Sequence, residues 1–201
     1  VRILIASHNK DKIREIIEII DDNSIEIVSP EQIAIPDVIE DEETLLGNAL
    51  KKARSIAEVV NIPTIADDTG LFVDALDGAP GVYSARYAGE ECSYQDNRRK
   101  LLKELKMIEN TELRTARFKT VVVLYFPTGE QVTAEGVVEG YITTQERGDK
   151  GFGYDAVFQV KESGKTFAEM DEDEKNKISH RGLALNNLVA EMERLSLIKK
   201  E

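Results

Sequence analysis

Three patterns in the sequence predict an α/β fold. A short apolar run feeds a helix near the start, a second and longer amphipathic helix follows, and two segments rich in Val, Thr and aromatics flank a turn. Strands alternate with helices through the first half, and the flanked turn reads as a long antiparallel hairpin in the second. No repeat or low-complexity linker interrupts the chain, so residues 1–201 are read as one α/β domain, with room for two lobes and a cleft.

Residues 2–6 read as a short buried strand, and Ile13, Ile16, Ile17 and Ile20 mark one face of a helix. Residues 25–28 give a second strand. Leu46, Ala49, Leu50, Ala53, Ile56, Ala57 and Val60 keep a 3.6-residue period, the strongest helical signal in the chain. Residues 64–66 and 71–76 read as strands interrupted by Asp67-Asp68-Thr69-Gly70, and the loop Gly78-Ala79-Pro80-Gly81 follows. A helix is expected over 94–106. The hairpin strands are 118–126 and 131–144, separated by Pro127-Thr128-Gly129. A glycine-rich loop at 148–153 leads to a strand at 156–160, and Leu185, Leu188, Val189, Met192 and Leu195 mark a closing helix.

Charge and cysteine content exclude several functions. Lys plus Arg is 26 and Asp plus Glu is 38, a net charge of −12, so a polyanionic ligand must be met by a local cationic pocket. Sequence-independent binding to a nucleic acid backbone is not expected, and nucleic acid is not among the predicted partners. Cys92 is the only cysteine and His8 and His180 the only histidines, which rules out an intramolecular disulfide and a zinc site built of Cys and His. A reducing, cytoplasmic location is expected. The longest strongly apolar run is residues 121–126, far short of the ~18 residues of a membrane span, so no membrane association is expected.

Four segments carry candidate chemistry. Ser7-His8-Asn9-Lys10-Asp11-Lys12 lies where a strand feeds a helix, so backbone N–H groups and Lys12 could hold phosphate oxygens, or Ser7 or Asn9 could simply cap the helix. It lacks the Gly-x-x-x-x-Gly-Lys spacing of a P-loop. Asp67-Asp68-Thr69-Gly70 places adjacent carboxylates on extended backbone, where neighbouring side chains point to opposite faces. One of them is a candidate base or ligand of a hard cation such as Mg²⁺, with the acidic run 40–43 a source of a second carboxylate; the other reading is a turn with a solvated acid. Asp68-Thr69-Gly70 also spells the aspartic protease triplet, which requires two such aspartates and occurs here once. Gly148-Asp149-Lys150-Gly151-Phe152-Gly153-Tyr154-Asp155 sets Phe152 between glycines, available to stack on a flat ligand or to plug a core. Residues 174–182 gather donors ahead of the last helix, for phosphate and base edges or for helix entry.

The order of these motifs is more specific than any one of them. Ser-x-Asn-x-x-Lys at Ser7, Asn9 and Lys12, Ala66-Asp67-Asp68-Thr69-Gly70-Leu71, residues 78–87, Gly151-Phe152-Gly153-Tyr154-Asp155 and Ser179-His180-Arg181-Gly182 together resemble the inosine/xanthosine triphosphate pyrophosphatase family, over residues 3 to about 195. The resemblance implies a long central mixed β-sheet with helices on both sides, two lobes flanking a nucleotide-binding cleft, and usually a homodimer. It implies Mg²⁺-dependent cleavage of a non-standard purine nucleoside triphosphate (ITP, dITP or XTP) to the monophosphate and pyrophosphate. By the same resemblance, Ser7, Asn9 and Lys12, in the segment that includes His8, Lys10 and Asp11, hold the triphosphate, and Lys52 reaches it. Glu40 and Asp68 hold the metal, and Asp68 activates the water. Phe152 stacks on the base; Asp155, Lys175, Ser179, His180 and Arg181 complete the base and phosphate pocket with Gly153 and Tyr154 beside them, and Thr69 touches substrate.

Two positions depart from the family pattern: His8 stands in the loop where Gly or Thr is usual, and Gly47-Asn48-Ala49 where Glu-Asn-Ala is usual. The alternatives are a Maf-like pyrimidine nucleotide pyrophosphatase, whose Ser-Pro-Arg-Arg signature is absent, and a non-catalytic nucleotide sensor, for which Asp68 beside retained lysines has no use.

Overall fold

In the computed structural model, which describes residues 1–20 and 24–198, the apolar run after Arg2 forms strand β1 (Arg2–Ile5), with Ile3, Leu4 and Ile5 buried. Helix α1 (Lys10–Ile19) starts where it does because of Asn9. Its Oδ1 accepts from the backbone N–H of Asp11 at 3.0 Å and of Lys12 at 3.3 Å, filling two of the four donors that a helix start leaves without an intrahelical partner. The apolar stripe of α1 is only partly used, with Ile16 and Ile20 buried and Ile17 exposed. Residues 21–23 and 199–201 of the single-domain reading lie outside the described residues.

Strand β2 (Glu26–Val28) runs parallel to β1. Helix α2 (Leu45–Val60) is capped by Thr44, whose Oγ1 accepts from the Gly47 N–H at 3.0 Å, and ends at Asn61 with φ +56°. Leu45, Ala49, Ala53, Ile56 and Ala57 bury its apolar face, while Leu46 of the expected stripe is exposed. Gly47, one of the two departures from the family pattern, has a local reason: a Cβ there would lie 2.8 Å from the Glu42 Cβ.

The next element corrects the sequence reading. Residues 64–73 form one continuous strand, β3 (Thr64–Val73), rather than two strands broken at Asp67-Asp68-Thr69-Gly70. Both aspartates are buried with partners, Asp67 paired to Lys12 and Arg181 and Asp68 hydrogen-bonded to Asn48, so they have no need of a turn to reach water. Gly70 is required by close packing, since a Cβ would sit 2.8 Å from the Gly81 carbonyl in the short antiparallel strand β4 (Pro80–Gly81).

Helix α3 (Tyr94–Glu104) opens with a reciprocal Ser93/Asp96 capping box and stops two residues short of the expected end. Strands β5 (Thr115–Tyr125) and β6 (Gln131–Ile142) are the expected hairpin, and β7 (Phe158–Val160) pairs antiparallel with β6. Helix α4 (Glu172–Ile178) was not expected, and α5 (His180–Arg194) closes the chain. Strand order is β2-β1-β3-β5-β6-β7, with β4 beside β3. The β1/β2 and β1/β3 pairs are parallel, so the sheet is mixed and the class is α/β. Among the described residues, no helix is long and apolar enough to cross a membrane.

The chain divides into two compact units. The first comprises Val1–Asp68, Thr120–Gly136 and the residues from Arg181 onward, with a core that includes Ile3, Ile5, Ile16, Ile65, Leu124 and Leu188. The second comprises Thr69–Lys119 and Val137–His180. Its interior is aromatic: Phe118 lies 4.7 Å from Phe158, and Phe158 stacks on Phe167 at 5.5 Å.

Candidate active site

In the first unit the N-terminal loop, the start of α2 and the middle of β3 supply a cluster of buried charge. Asp67 is 1% exposed. Its Oδ2 lies 3.1 Å from Lys12 Nζ and 3.2 Å from both Nε and Nη2 of Arg181, and Arg181 Nη1 donates to Glu15. Burial alone would raise the Asp67 pKa, but Lys12, then Arg181, then Lys52 outweigh it and hold the carboxyl well below the usual carboxylate range. Arg181, fully enclosed, is in turn pushed upward by Asp67 and Glu15 against its own desolvation.

The neighbouring Asp68 behaves oppositely. It is 6% exposed, and burial pushes its pKa up to about 6; Lys12 opposes the rise, Glu40 adds to it, and Lys52 and the Asn48 hydrogen bond oppose it. Asn48 Nδ2 donates to Asp68 Oδ2 at 3.0 Å, while its Oδ1 accepts from the Glu42 N–H at 2.9 Å, so one amide ties the acidic loop to β3. Lys52, one turn further along α2, donates to Glu40 Oε1 at 2.6 Å, and Asp67 and Glu40 raise its pKa against desolvation. Two carboxylates of one sign thus sit within electrostatic reach of each other, flanked by lysines. That is the donor set a hard divalent cation takes from protein when substrate phosphates and water complete its shell. Glu40 and Asp68 are oxygen donors of the type such an ion takes.

The second unit holds a group of its own. The Phe152 N–H donates to Asp155 Oδ2 at 2.9 Å, and Lys175 Nζ donates to the same oxygen at 2.7 Å and lies 4.8 Å from the Phe152 ring centroid. Gly151 has φ +71°, and a Cβ there would come within 2.1 Å of Asp155 Oδ2, so this loop closes only around glycine. Tyr154 is buried and donates its phenol to the Ser84 carbonyl at 2.7 Å. Half-buried Phe152 therefore rests on a fixed base of Asp155 and Lys175.

The remaining predicted residues are placed as follows. Buried Ser7 accepts from the Asn9 N–H at 3.1 Å, and His8, largely exposed, pairs with Asp37 at 3.1 Å. Lys10 is exposed, Asp11 pairs with Arg14 at 3.6 Å, and Thr69 is half-buried. Gly153 has φ +61°. The buried Ser179 donates its N–H to the Lys175 carbonyl at 2.8 Å, and the His180 ring stacks on Phe118 at 4.3 Å within the aromatic interior of the second unit. Sequence reasoning missed Glu15 and Asn48. Both are buried polar residues on the core side of amphipathic helices, at positions that an apolar stripe would otherwise occupy.

The chain as a whole is similar to known proteins. Residues 3–191 match the Ham1 family. The chain is 49% identical over 186 residues to a dITP/XTP pyrophosphatase of Bacillus subtilis, covering 92% of this chain and 93% of that one. It is 48% identical over 192 residues to a dITP/XTP pyrophosphatase of Leuconostoc mesenteroides, covering 94% of each. A solved HAM1 protein from Coxiella burnetii superposes with a TM-score of 0.87 at 37% identity, covering 96% of this chain and 99% of that one.

Proposed function

This chain belongs to the Ham1 family, and on that premise we propose that it hydrolyses non-standard purine nucleoside triphosphates (ITP, dITP and XTP) to the monophosphate and pyrophosphate. Such an activity keeps these nucleotides out of DNA and RNA. The observation that carries the reading is the pairing of two adjacent aspartates held in opposite states. Asp67 is locked as an anion by Lys12 and Arg181, and Asp68 is buried beside Glu40 with its affinity for protons raised.

Water attacks the phosphorus, the bond between the first and second phosphates breaks, and pyrophosphate departs with the electron pair. The Asp68 carboxylate takes the proton that the attacking water loses, and Asn48 fixes the plane of that carboxylate. Lys12 and Lys52 offset the charge of the triphosphate, assisted by the backbone N–H groups at the start of α1 and by Ser7 and Asn9. Glu40 and Asp68 would hold Mg²⁺, which would supply further charge neutralisation to the triphosphate. Phe152 offers its ring to the purine, and Lys175 and Asp155 hold that ring in place, with Ser179, His180 and Thr69 as further substrate contacts. The active form is proposed as a cytoplasmic homodimer of a single catalytic domain.

Pyrophosphate release from ITP with Mg²⁺ tests the proposal directly. ITP, dITP and XTP are expected to be cleaved at least ~100-fold more efficiently than ATP, because a 6-carbonyl accepts from protein donors whereas a 6-amino group opposes them. Release of phosphate instead of pyrophosphate, or equal specificity constants for ATP and ITP, overturns it.

A further inference from the structure

Helix α3 places Tyr94 and Arg98 one turn apart, hence on one face, and both reach the loop that carries Phe152. The Tyr94 and Phe152 ring centroids are 5.8 Å apart with the planes tilted by 41°. Arg98 Nη1 donates to the Gly153 carbonyl at 2.8 Å, and its Nε donates to Glu146 Oε1 at 3.0 Å.

Gly151 and Gly153 on either side of Phe152 have φ +71° and +61°, conformations that glycine adopts and other residues rarely do, so the path of the loop is held by its tertiary contacts. Asp155 anchors the Phe152 N–H and Lys175 covers part of the ring, and two further contacts fall on this loop, one at the Gly153 carbonyl and one at the Phe152 ring. Arg98 and Tyr94 hold these two. The Arg98 side chain is largely enclosed, as a backbone clamp should be, whereas Tyr94 is 41% exposed and fills no core. An aromatic left this open at the first turn of a capped helix adds little to α3 itself.

We propose that Tyr94 and Arg98 are positioning residues for purine recognition: Arg98 fixes the loop through the Gly153 carbonyl, and Tyr94 sets the Phe152 ring for the base. The inference rests on the assignment of Phe152 to the base. It adds α3 to the determinants of substrate affinity, although neither residue belongs to a recognised motif of the sequence.

The test combines kinetics with amide exchange. With ITP, Tyr94→Ala is expected to raise KM ~3- to 10-fold, the range of a lost aromatic pair, with kcat within about twofold of wild type, and Tyr94→Phe restores KM because the ring is kept. In substrate-free protein, Arg98→Ala is expected to speed hydrogen exchange of the 149–155 amides, and Arg98→Lys to slow it again, a readout that needs no activity. Unchanged KM in Tyr94→Ala, a Tyr94→Phe variant no better than Tyr94→Ala, or unchanged exchange in Arg98→Ala overturns the positioning role. A wild-type protein inactive on ITP and XTP overturns the functional reading instead, and the exchange experiment then still decides whether Arg98 holds the loop.

Discussion

Arg181 holds Asp67 from 114 positions along the chain, with Nε and Nη2 each 3.2 Å from Oδ2. Lys12 shares that oxygen at 3.1 Å. The two cations are not equivalent: Arg181 is enclosed and also bonded to Glu15, whereas Lys12 stands at the entrance of α1 where a triphosphate is proposed to bind. Lys12 can therefore turn to an incoming phosphate while Arg181 keeps Asp67 compensated.

Asp67→Asn should accordingly be a folding defect first. Removing one partner of a buried pair leaves Arg181 without its main counter-charge and costs about 3–5 kcal/mol. Urea unfolding followed by circular dichroism measures this, and a loss below about 1 kcal/mol contradicts the role given to the pair. Arg181→Ala should behave alike, because it takes from Glu15 its buried cation and leaves Asp67 to Lys12 alone.

Asp68→Asn should do the reverse. The new side-chain oxygen still accepts from Asn48, so the fold survives, but neither the negative charge nor the proton acceptor remains. Turnover of ITP is expected to fall by about 10²–10⁴-fold with the unfolding midpoint nearly unchanged. A folded variant retaining more than about a tenth of wild-type turnover would remove Asp68 from the chemistry.

Phe152→Ala should raise the KM for ITP by about 10- to 100-fold, the worth of one base stacked on one aromatic ring, and leave the metal requirement as it was. Asp155 and Lys175 remain paired in this variant, so the loop keeps its anchor. An unaltered KM would return Phe152 to a packing role.

Tyr154 makes a prediction in alkali. Burial, with the nearby Tyr87 and Cys92 adding to it, pushes its phenol pKa well above the usual value, and the proton is donated to the Ser84 carbonyl. The folded phenol thus keeps its proton where the unfolded one releases it. The stability it contributes is complete below about pH 10 and drains away as the pH rises beyond that. Unfolding free energy measured from pH 8 to 11 should fall more steeply for wild type than for Tyr154→Phe. Parallel curves would contradict the assignment.

Legibility in the sequence followed the physics of burial. Helix α2 was plain because Ala49, Ala53, Ile56 and Ala57 repeat with the helical period, and the β5/β6 hairpin because its strands are rich in Val and Thr around a Pro-Thr-Gly turn. Strand β3 was misread as broken, because Asp-Asp-Thr-Gly has the composition of a turn, and the cations that make its burial tolerable come from Lys12 and Arg181, far away in sequence. Helix α4 is seven residues of mostly charged side chains and carries no apolar period to detect. Glu15 and Asn48 looked like ordinary polar positions, since nothing local reveals that their partners are Arg181 and Asp68.

Because β3 runs unbroken through Asp67 and Asp68, the pleat turns successive side chains apart, so that Arg181 meets the one and Asn48 the other. A single residue deleted upstream in that strand would set Thr69 where the proton acceptor belongs, and a single inserted residue would set Ala66 where Arg181 needs its carboxylate. Between Thr64 and Gly70 evolution can substitute but not count differently, and the length of that stretch should be the least variable measurement along the whole chain.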